Sequence, residues 1–210
     1  MIPPAALARV RELLQHGGRR LLGLVGPPGA GKSTLAIALQ QAFAEESQVV
    51  PMDGFHLANV ELQRLGRAGR KGAPDTFDSA GYAALLQRLR EQRGDEIVYA
   101  PEFRRQIEEP IAGTIAVLPR TRLVITEGNY LLLDDGAWSG VAALLDDVWY
   151  VDVADALRTD RLLRRHEQFG RSADAARAWV RGTDEPNARL IAASRARASW
   201  VFNWGGSPTA

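Results

Sequence analysis

Cysteine is absent from all 210 residues of the chain, which excludes disulfide bonds, thiolate metal sites and a cysteine nucleophile. Histidine is scarce too, and no two of His16, His56 and His166 stand at a spacing typical of zinc ligands. Neither sign of charge dominates, because 26 basic and 25 acidic residues leave a formal net charge of +1. This near balance gives no broad basic surface, so we expect no nucleic-acid partner.

Long apolar runs are also missing, since no stretch approaches the roughly 20 residues that cross a bilayer. Residues 1–18 carry early prolines and interior charges, unlike a secretory signal. We therefore expect a cytoplasmic protein without a membrane partner. The composition, 46% hydrophobic and 24% charged, is typical of a globular chain, and the length suits a single domain spanning 1–210.

The most informative segment is 26–33, Gly-Pro-Pro-Gly-Ala-Gly-Lys-Ser, which fits the phosphate-binding pattern G-x-x-x-x-G-K-[ST]. An apolar run at 21–25 predicts a buried strand before it, and apolar residues at helical spacing predict a helix after it. In that context the glycines let backbone N–H groups surround a phosphate at a helix N-terminus. The alternative, a glycine-rich turn that only joins a strand to a helix, leaves the complete pattern unexplained.

This loop predicts ATP and Mg²⁺ as cofactors. Lys32 is expected to reach the β- and γ-phosphates, and Ser33 is expected to offer its hydroxyl to Mg²⁺. The residues expected to contact the nucleotide here are Gly26, Gly29, Ala30, Gly31, Lys32, Ser33 and Thr34. The sequence lacks the Asn-Lys-x-Asp motif that a GTP-dependent switch needs, and it lacks the Leu-Ser-Gly-Gly-Gln signature of transporter ATPases.

Strand-like and helix-like segments alternate along the chain. Predicted strands lie at 21–25, 48–52, 122–126 and 148–153, with shorter strand-like pieces at 97–99, 114–118 and 200–203. This alternation predicts an α/β fold of the P-loop nucleoside triphosphate hydrolase type, with a mainly parallel sheet flanked by helices. We expect the last residues, 205–210, to be disordered.

Acidic residues follow three of the predicted strands, at the sheet edge where α/β proteins bind ligands. Mg²⁺ needs carboxylate help beside phosphates, and an acceptor hydroxyl needs a carboxylate to orient it and take its proton. Asp53 and Glu127 fit these needs best. For Asp152 and Asp155 we favour the alternative that they cap the next helix.

Four segments in this order resemble a known family: 26–33, Met-Asp-Gly-Phe-His at 52–56, Lys-Gly-Ala-Pro-Asp-Thr-Phe-Asp at 71–78 and Ile-Thr-Glu-Gly-Asn-Tyr-Leu-Leu at 125–132. Over nearly its whole length the chain is similar to P-loop small-molecule kinases of the uridine kinase, pantothenate kinase and phosphoribulokinase group. Within that group it looks most like the bacterial nucleoside/nucleotide kinase branch, whose members are often described as fructose transport system kinases. The resemblance implies transfer of the γ-phosphate of ATP to a hydroxyl of a small metabolite.

The resemblance also implies roles for matching positions. Asp53 takes the position of the catalytic base, and Glu127 takes that of the acid which, with Ser33, binds the metal. The segment 99–105 matches a substrate-side segment that commonly reads Phe-Asp-Arg, with Arg104 here in place of the usual aspartate. The residues implied on the acceptor side are Asp53, His56, Tyr99, Phe103, Arg105, Glu127 and Tyr130.

Residues 160–165, Asp-Arg-Leu-Leu-Arg-Arg, resemble the lid of these kinases, which we place at about 155–182. Arg158, Arg161 and Arg165 share one helical face, and guanidinium groups suit the charge of a transferring phosphoryl group. A solvated basic face explains the same spacing, but the position after the fourth strand favours a lid. Arg161 and Arg165 are therefore predicted to be catalytic, together with Lys32 and Asp53.

Asn187 lies near a late turn beside which such kinases bind adenine, so we expect it to contact the base, although helix capping explains it equally well. The predicted function is an ATP-dependent kinase acting on a nucleoside, a sugar or a pantothenate-like alcohol. The alternative is a catalytically weak regulatory protein of the same fold that only binds nucleotide. The expected partner is the small-molecule hydroxyl acceptor, and a homodimer is compatible with the sequence.

Overall fold

A five-stranded parallel sheet organises the protein, as seen in a computed structural model that describes residues 2–204. The strands are β1 Arg20–Val25, β2 Ser47–Val49, β3 Val98–Arg104, β4 Glu109–Val117, β5 Leu123–Gly128, β6 Asp147–Asp152 and β7 Trp200–Asn203. The main sheet has the order β2-β5-β1-β6-β7, and its four pairings are parallel. This confirms the predicted α/β fold. The tail at 205–210, for which we predict disorder, lies outside the described residues.

Helices cover both faces of this sheet. They are α1 Pro4–Gln15, α2 Lys32–Ala42, α3 Asn59–Arg64, α4 Ser79–Glu91, α5 Asp155–Gln168, α6 Ala173–Trp179 and α7 Glu185–Ala192. α1 and α2 pack against the face of β1 that carries Leu22 and Leu24, whereas α4 packs on the side of Leu21 and Val25. Among residues 2–204, no helix combines the length and the apolar character needed to cross a bilayer.

The second strand is shorter than the sequence predicts. β2 ends at Val49 rather than at position 52, because Pro51 has no N–H to donate to a strand ladder. The chain then forms a 3₁₀ turn over Met52–Phe55. This turn, rather than the strand itself, carries Asp53 just beyond the sheet edge.

The largest departure from the sequence prediction is a β-hairpin. Where the sequence predicts short pieces at 97–99 and 114–118, β3 and β4 form a separate antiparallel pair with an irregular register between Ala100 and Glu102. Much of β4 is exposed, so this strand lacks the apolar alternation that indicates a half-buried strand. The hairpin crosses the 3₁₀ turn at Gly54, where any Cβ would overlap the Pro101 carbonyl.

Candidate active site

The phosphate loop lies between β1 and α2, as predicted, on the central strand of the sheet. Gly29 and Gly31 adopt φ angles of 82° and 92°, in the left-handed region that side chains rarely occupy. A Cβ on Gly29 would also lie 2.8 Å from the Arg158 carbonyl oxygen. These two glycines therefore allow the turn that leads into α2, whose first backbone N–H groups have no partners within the helix and can hold an anion.

Lys32, the first residue of α2, is 7% exposed and is surrounded by neutral oxygens. Its Nζ donates to the Gly26 carbonyl at 2.8 Å, to the Pro27 carbonyl at 3.2 Å and to Asn129 Oδ1 at 2.7 Å. Burial lowers the pKa of Lys32 to about 8, although nearby carboxylates oppose this effect. The buried Lys32 ammonium therefore gains a favourable electrostatic interaction when a phosphate binds.

Glu127 and Ser33 form a pair at the ends of neighbouring elements. Glu127 stands near the end of β5, beside β1, and its Oε1 accepts a 2.8 Å hydrogen bond from Ser33 Oγ. Burial, and next the neighbouring Asp53 carboxylate, raises the pKa of Glu127. Hydroxyl and carboxylate oxygens are ligands that Mg²⁺ accepts, so the pair fits a metal that also takes phosphate oxygens. Within residues 2–204, no group of three or more His, Asp or Glu side chains could hold a metal.

Asp53 faces the phosphate loop from the 3₁₀ turn. Arg105, which follows β3, places its Nη2 atom 3.3 Å from Asp53 Oδ2. Burial opposes ionisation of the carboxyl group, but the charges of His56, Arg105 and Lys32 outweigh it and lower the pKa of Asp53. The side chain keeps 28% of its surface exposed. Asp53 is therefore an ionised carboxylate with open space beside it.

Aromatic rings extend the site beyond Asp53. The His56 ring Nδ1–H donates to the Asp53 backbone carbonyl at 2.7 Å. The same ring packs against Phe77 and Phe103, with centroid separations of 4.0 and 4.5 Å. Burial lowers the pKa of His56, although the nearby Asp53 carboxylate opposes this effect.

Two arginines of α5 reach this region, and two do not. Arg161 Nη1 lies 3.4 Å from the Gly29 carbonyl, and burial lowers the pKa of Arg165. Arg158, on the same helical face, is instead 1% exposed and pairs with Asp155 and Glu185. Arg164 points to solvent and pairs with Asp160 across one helical turn. Helical spacing alone groups Arg158 with Arg161 and Arg165 as a phosphate-binding residue. In the structure, however, α5 packs against α7 and Arg158 pairs with Glu185 instead.

These groups line one cavity of about 640 Å³. Of the residues predicted from the sequence, the cavity is lined by Gly29, Gly31, Lys32, Ser33, Thr34, Asp53, His56, Phe103, Arg105, Glu127, Arg161, Arg165 and Asn187. Gly26 belongs to the same loop through its carbonyl contact with Lys32, and Ala30 is fully buried beneath it. Residues from separate parts of the chain thus meet at the carboxyl edge of the sheet.

Some predicted positions do not reach the cavity. Tyr99 is 56% exposed on the hairpin, and Tyr130 is fully buried, with its hydroxyl donating to the Gly72 carbonyl. Arg104 pairs with Glu102 at 3.1 Å outside the cavity, so its charge does not enter the site.

The acids after β6 are not part of the site either, as we favoured. Asp152 pairs with Arg195 at 3.1 Å, and Asp155 pairs with Arg158 in the first turn of α5. The capping explanation is wrong, however, because the residue before α5 is Ala154 and no side chain caps this helix. Both carboxylates are instead held by arginine partners.

Asn187 sits inside α7, two residues after its start, so it does not cap the helix. It is 8% exposed, and its Nδ2 lies 3.4 Å from the Gly72 carbonyl, the same oxygen that accepts from Tyr130. This contact joins α7 to the loop that follows α3. The predicted contact of Asn187 with adenine remains a prediction.

Comparison with known proteins identifies the family. No protein-family model matches the chain. A candidate uridine kinase from Schizosaccharomyces pombe is 39% identical over 167 residues, which cover 75% of this chain and 71% of that protein. The chain belongs to the P-loop kinase family that includes uridine kinase and pantothenate kinase.

Solved structures agree with this assignment. The crystal structure of a candidate fructose transport system kinase from Silicibacter sp. TM1040 has a TM-score of 0.86 at 41% identity, covering 96% of this chain and all of that one. YFH7 from Saccharomyces cerevisiae, described as a P-loop kinase with a circular permutation, shares the fold with a TM-score of 0.80 at 20% identity. The predicted resemblance to P-loop small-molecule kinases is confirmed.

Sequence reasoning did not assign Asn129 and Lys71 to the site of this P-loop kinase. Asn129 binds Lys32 directly, and Lys71 lines the cavity from the loop after α3. Asn129 could have been found, because it follows the acid at the end of β5, where phosphate-side residues gather. The sequence places Lys71 in a basic loop with Arg64, Arg67 and Arg70, which suits an anionic acceptor but which we interpret from the sequence as a solvated loop. Its place in the cavity depends on how the 64–74 segment packs against the hairpin.

Proposed function

We propose that this kinase transfers the γ-phosphate of ATP to a hydroxyl of a small metabolite, a nucleoside, a sugar or a pantothenate-like alcohol, with Asp53 as the general base. One observation carries the proposal: an ionised Asp53 and the buried Lys32 of the phosphate loop line the same cavity. A carboxylate opposite a phosphate site is what transfer to a hydroxyl requires.

The proposed reaction assigns each proton and bond. The acceptor hydroxyl donates a hydrogen bond to a carboxylate oxygen of Asp53, which orients its oxygen toward the γ-phosphorus. As the new O–P bond forms, the bond from the γ-phosphorus to the oxygen that bridges it to the β-phosphate breaks, and the hydroxyl proton passes to Asp53. Arg105 holds the other side of the carboxylate. ADP leaves with the bridging oxygen.

The part of the cavity proposed to bind ATP contains positively charged side chains that have no carboxylate partner. Lys32, Arg161 and Arg165 line the cavity, and no carboxylate oxygen of residues 2–204 lies within 4.0 Å of their charged nitrogens. These cations match the negative charge of a triphosphate. Ser33 and Glu127 would hold Mg²⁺, which neutralises charge on the phosphate oxygens.

We also propose a role for Asn187 on the acceptor side, in place of the contact with adenine that the sequence predicts, because its amide lies 3.4 Å from the Gly72 carbonyl. Gly72 follows Lys71 in the loop that closes the cavity next to His56 and Phe77. The second N–H and the carbonyl oxygen of the Asn187 amide are available to hydrogen-bond a polar group of the acceptor. An Asn187→Ala variant that raises KM for the acceptor and leaves the Kd for ATP unchanged would support this role.

We expect Arg165→Ala and Arg161→Ala to slow transfer much more than they weaken nucleotide binding. Guanidinium groups that hold charge as it develops in the transition state contribute about 10²–10³-fold to rate. Calorimetry with ATP and Mg²⁺, alongside kcat, separates the two effects. Arg164→Ala is the matched control, because Arg164 occupies the same helix but is paired with Asp160 at the surface. A fall in ATP affinity that parallels the fall in kcat would place both residues in the resting nucleotide site instead.

Glu127→Gln should raise the Mg²⁺ concentration needed for half-maximal activity by about 10–100-fold, because a neutral amide is a weaker partner for a cation. The variant keeps the shape of the side chain and can still accept from Ser33. Titrating Mg²⁺ at saturating ATP measures the effect, with the exposed Glu45→Gln as control. An unchanged Mg²⁺ requirement would remove Glu127 from the metal site.

A panel of hydroxyl acceptors tests the proposed function as a whole. ADP release from ATP and Mg²⁺ is measured with nucleosides, sugars and pantothenate-like alcohols, and mass spectrometry identifies the phosphorylated product. At least one class should give a phosphate ester at a rate well above hydrolysis by water. Tight ATP binding with no ester from any class would favour the regulatory alternative.

A further inference from the structure

One cation of the cavity has no part in the proposed transfer step. Lys71 lies in the loop after α3, half-buried, and lines the cavity. Its Nζ donates to Asn59 Oδ1 at 2.6 Å and to the Glu108 backbone carbonyl. Because an ammonium has three N–H donors, these two neutral acceptors leave a third for another group.

A chain of contacts shows how Lys71 relates to the reacting end of the cavity. Lys71 Nζ lies 5.2 Å from the centre of the Phe103 ring, and Phe103 packs against His56. His56 in turn binds the backbone of Asp53. Lys71 is thus separated from the proposed base by one layer of aromatic side chains.

Its neighbours in the basic loop are already neutralised. Arg64 pairs with Glu61, and both Arg67 and Arg70 pair with Asp75. In the part of the chain that the structure describes, no carboxylate oxygen lies within 4.0 Å of Lys71 Nζ, although every arginine of this loop has one. Lys71 is therefore the residue of this group whose charge is left for a ligand.

The acidic residues nearest to Lys71 have other roles. Both carboxylate oxygens of Glu109 accept from the Asn59 backbone N–H, at 3.0 and 3.1 Å. Glu108 offers its carbonyl rather than its exposed carboxylate, and among residues 2–204 it is the non-glycine residue with a positive φ, at 54°. Glu108 lies in the turn between β3 and β4, and its carbonyl accepts a hydrogen bond from Lys71.

We propose that the acceptor is an anionic alcohol, carrying a carboxylate or a phosphate that Lys71 binds while its hydroxyl lies at Asp53. This inference rests on the proposed function, since it names the substrate class of the same cavity. The aromatic layer of His56 and Phe103 sets the distance between the two ends of the molecule. A neutral alcohol of the same shape would leave the half-buried Lys71 without its counter-charge, so the site selects against it.

The first test measures anion binding without turnover. The protein is saturated with Mg²⁺ and a nonhydrolysable ATP analogue, and methyl phosphate or acetate is titrated at constant ionic strength while amide resonances are followed. We expect saturable binding of at least one anion, with shifts centred on 70–72, 103 and 108. Lys71→Met should weaken it at least about tenfold, and Lys71→Arg should retain it. Which probe saturates distinguishes a phosphate from a carboxylate.

Arg64→Met is the control, because Arg64 is an exposed cation of the same loop with its own carboxylate partner. Melting curves establish that each variant folds. If neither anion saturates, or if Lys71→Met binds them as the parent does, the inference is wrong.

The second test uses turnover with matched acceptors, each hydroxy acid or phosphorylated alcohol against its neutral amide or unphosphorylated counterpart. The parent should show a KM at least about tenfold lower for the anionic member, and Lys71→Met should abolish the preference with little change in kcat. Transfer to neutral alcohols as efficient as to anionic ones would overturn this inference alone. Failure of every alcohol to accept phosphate would overturn the proposed function, and the acceptor assignment with it.

Discussion

Asp53→Asn should lower kcat by about 10²–10⁴-fold, the usual contribution of a general base. The amide keeps the size of the side chain and its hydrogen bonding, but it cannot take the acceptor's proton. The affinity for ATP should barely change, because the carboxylate serves the acceptor hydroxyl rather than the nucleotide. Steady-state kinetics with the acceptor found in the panel, together with calorimetry for ATP, measures both quantities.

Asp152→Asn is the matched control for this variant. Asp152 is an acid at the carboxyl edge of the same sheet, at the end of β6, but it pairs with Arg195 outside the cavity. If turnover survives Asp53→Asn, Asp53 is not the base, and Glu127 becomes the candidate. If the main effect is a changed Mg²⁺ requirement, Asp53 acts through the metal.

Lys32→Met should reduce kcat by about 10²–10³-fold and leave the fold intact. Methionine fills the space of the lysine stem but removes a charge that is stronger in the transition state, when negative charge spreads over the transferring phosphoryl oxygens. The loss of three hydrogen bonds to neutral oxygens is offset by the removal of a buried ammonium. A melting temperature that collapses while the folded fraction stays active would contradict this assignment.

The same variant should change how stability depends on pH. Unfolding returns the pKa of Lys32 from about 8 to its ordinary value near 10.5, so the unfolded chain binds more protons than the folded one between these values. The stability of the parent, relative to Lys32→Met, should therefore rise by about 3 kcal/mol as pH increases from 8 to 10.5, and be flat below pH 8. Urea unfolding of both proteins across this range measures the difference. If the stability curves of the two proteins run parallel across this pH range, burial of the Lys32 ammonium does not destabilise the fold.

Local pattern was enough to predict the phosphate loop and the strands around it. The glycines at 29 and 31 encode a backbone that few other residues adopt, and the apolar runs at β1, β5 and β6 are long enough to read as buried strands. Only short pieces of the two hairpin strands were predicted, and not their pairing, because much of β4 is exposed and the two strands pair only with each other. The predicted second strand was too long, because apolar residues continue past Pro51 although Pro51 cannot donate a backbone hydrogen bond to a neighbouring strand.

The arginines of α5 illustrate a second limit. Helical spacing correctly puts Arg158, Arg161 and Arg165 on one face, but a face of a helix can meet different neighbours along its length. Near the start of α5 that neighbour is Glu185, which pairs with Arg158, and one to two turns later it is the open cavity. Spacing therefore identified the face that the three arginines share. Packing decided that Arg158 forms a structural ion pair, whereas Arg161 and Arg165 line the cavity.

The sequence by itself determined what depends on a few neighbouring residues: the phosphate loop with Lys32 and Ser33, and the acids Asp53 and Glu127 that follow or end the predicted second and third strands. Only the tertiary structure decided which distant groups share the cavity with Asp53, among them Arg105 and Lys71. The physical reason is range. Backbone preferences and helix spacing act over a few residues, whereas the contact between Asp53 and Arg105 joins positions 52 residues apart and requires the hairpin to cross at Gly54.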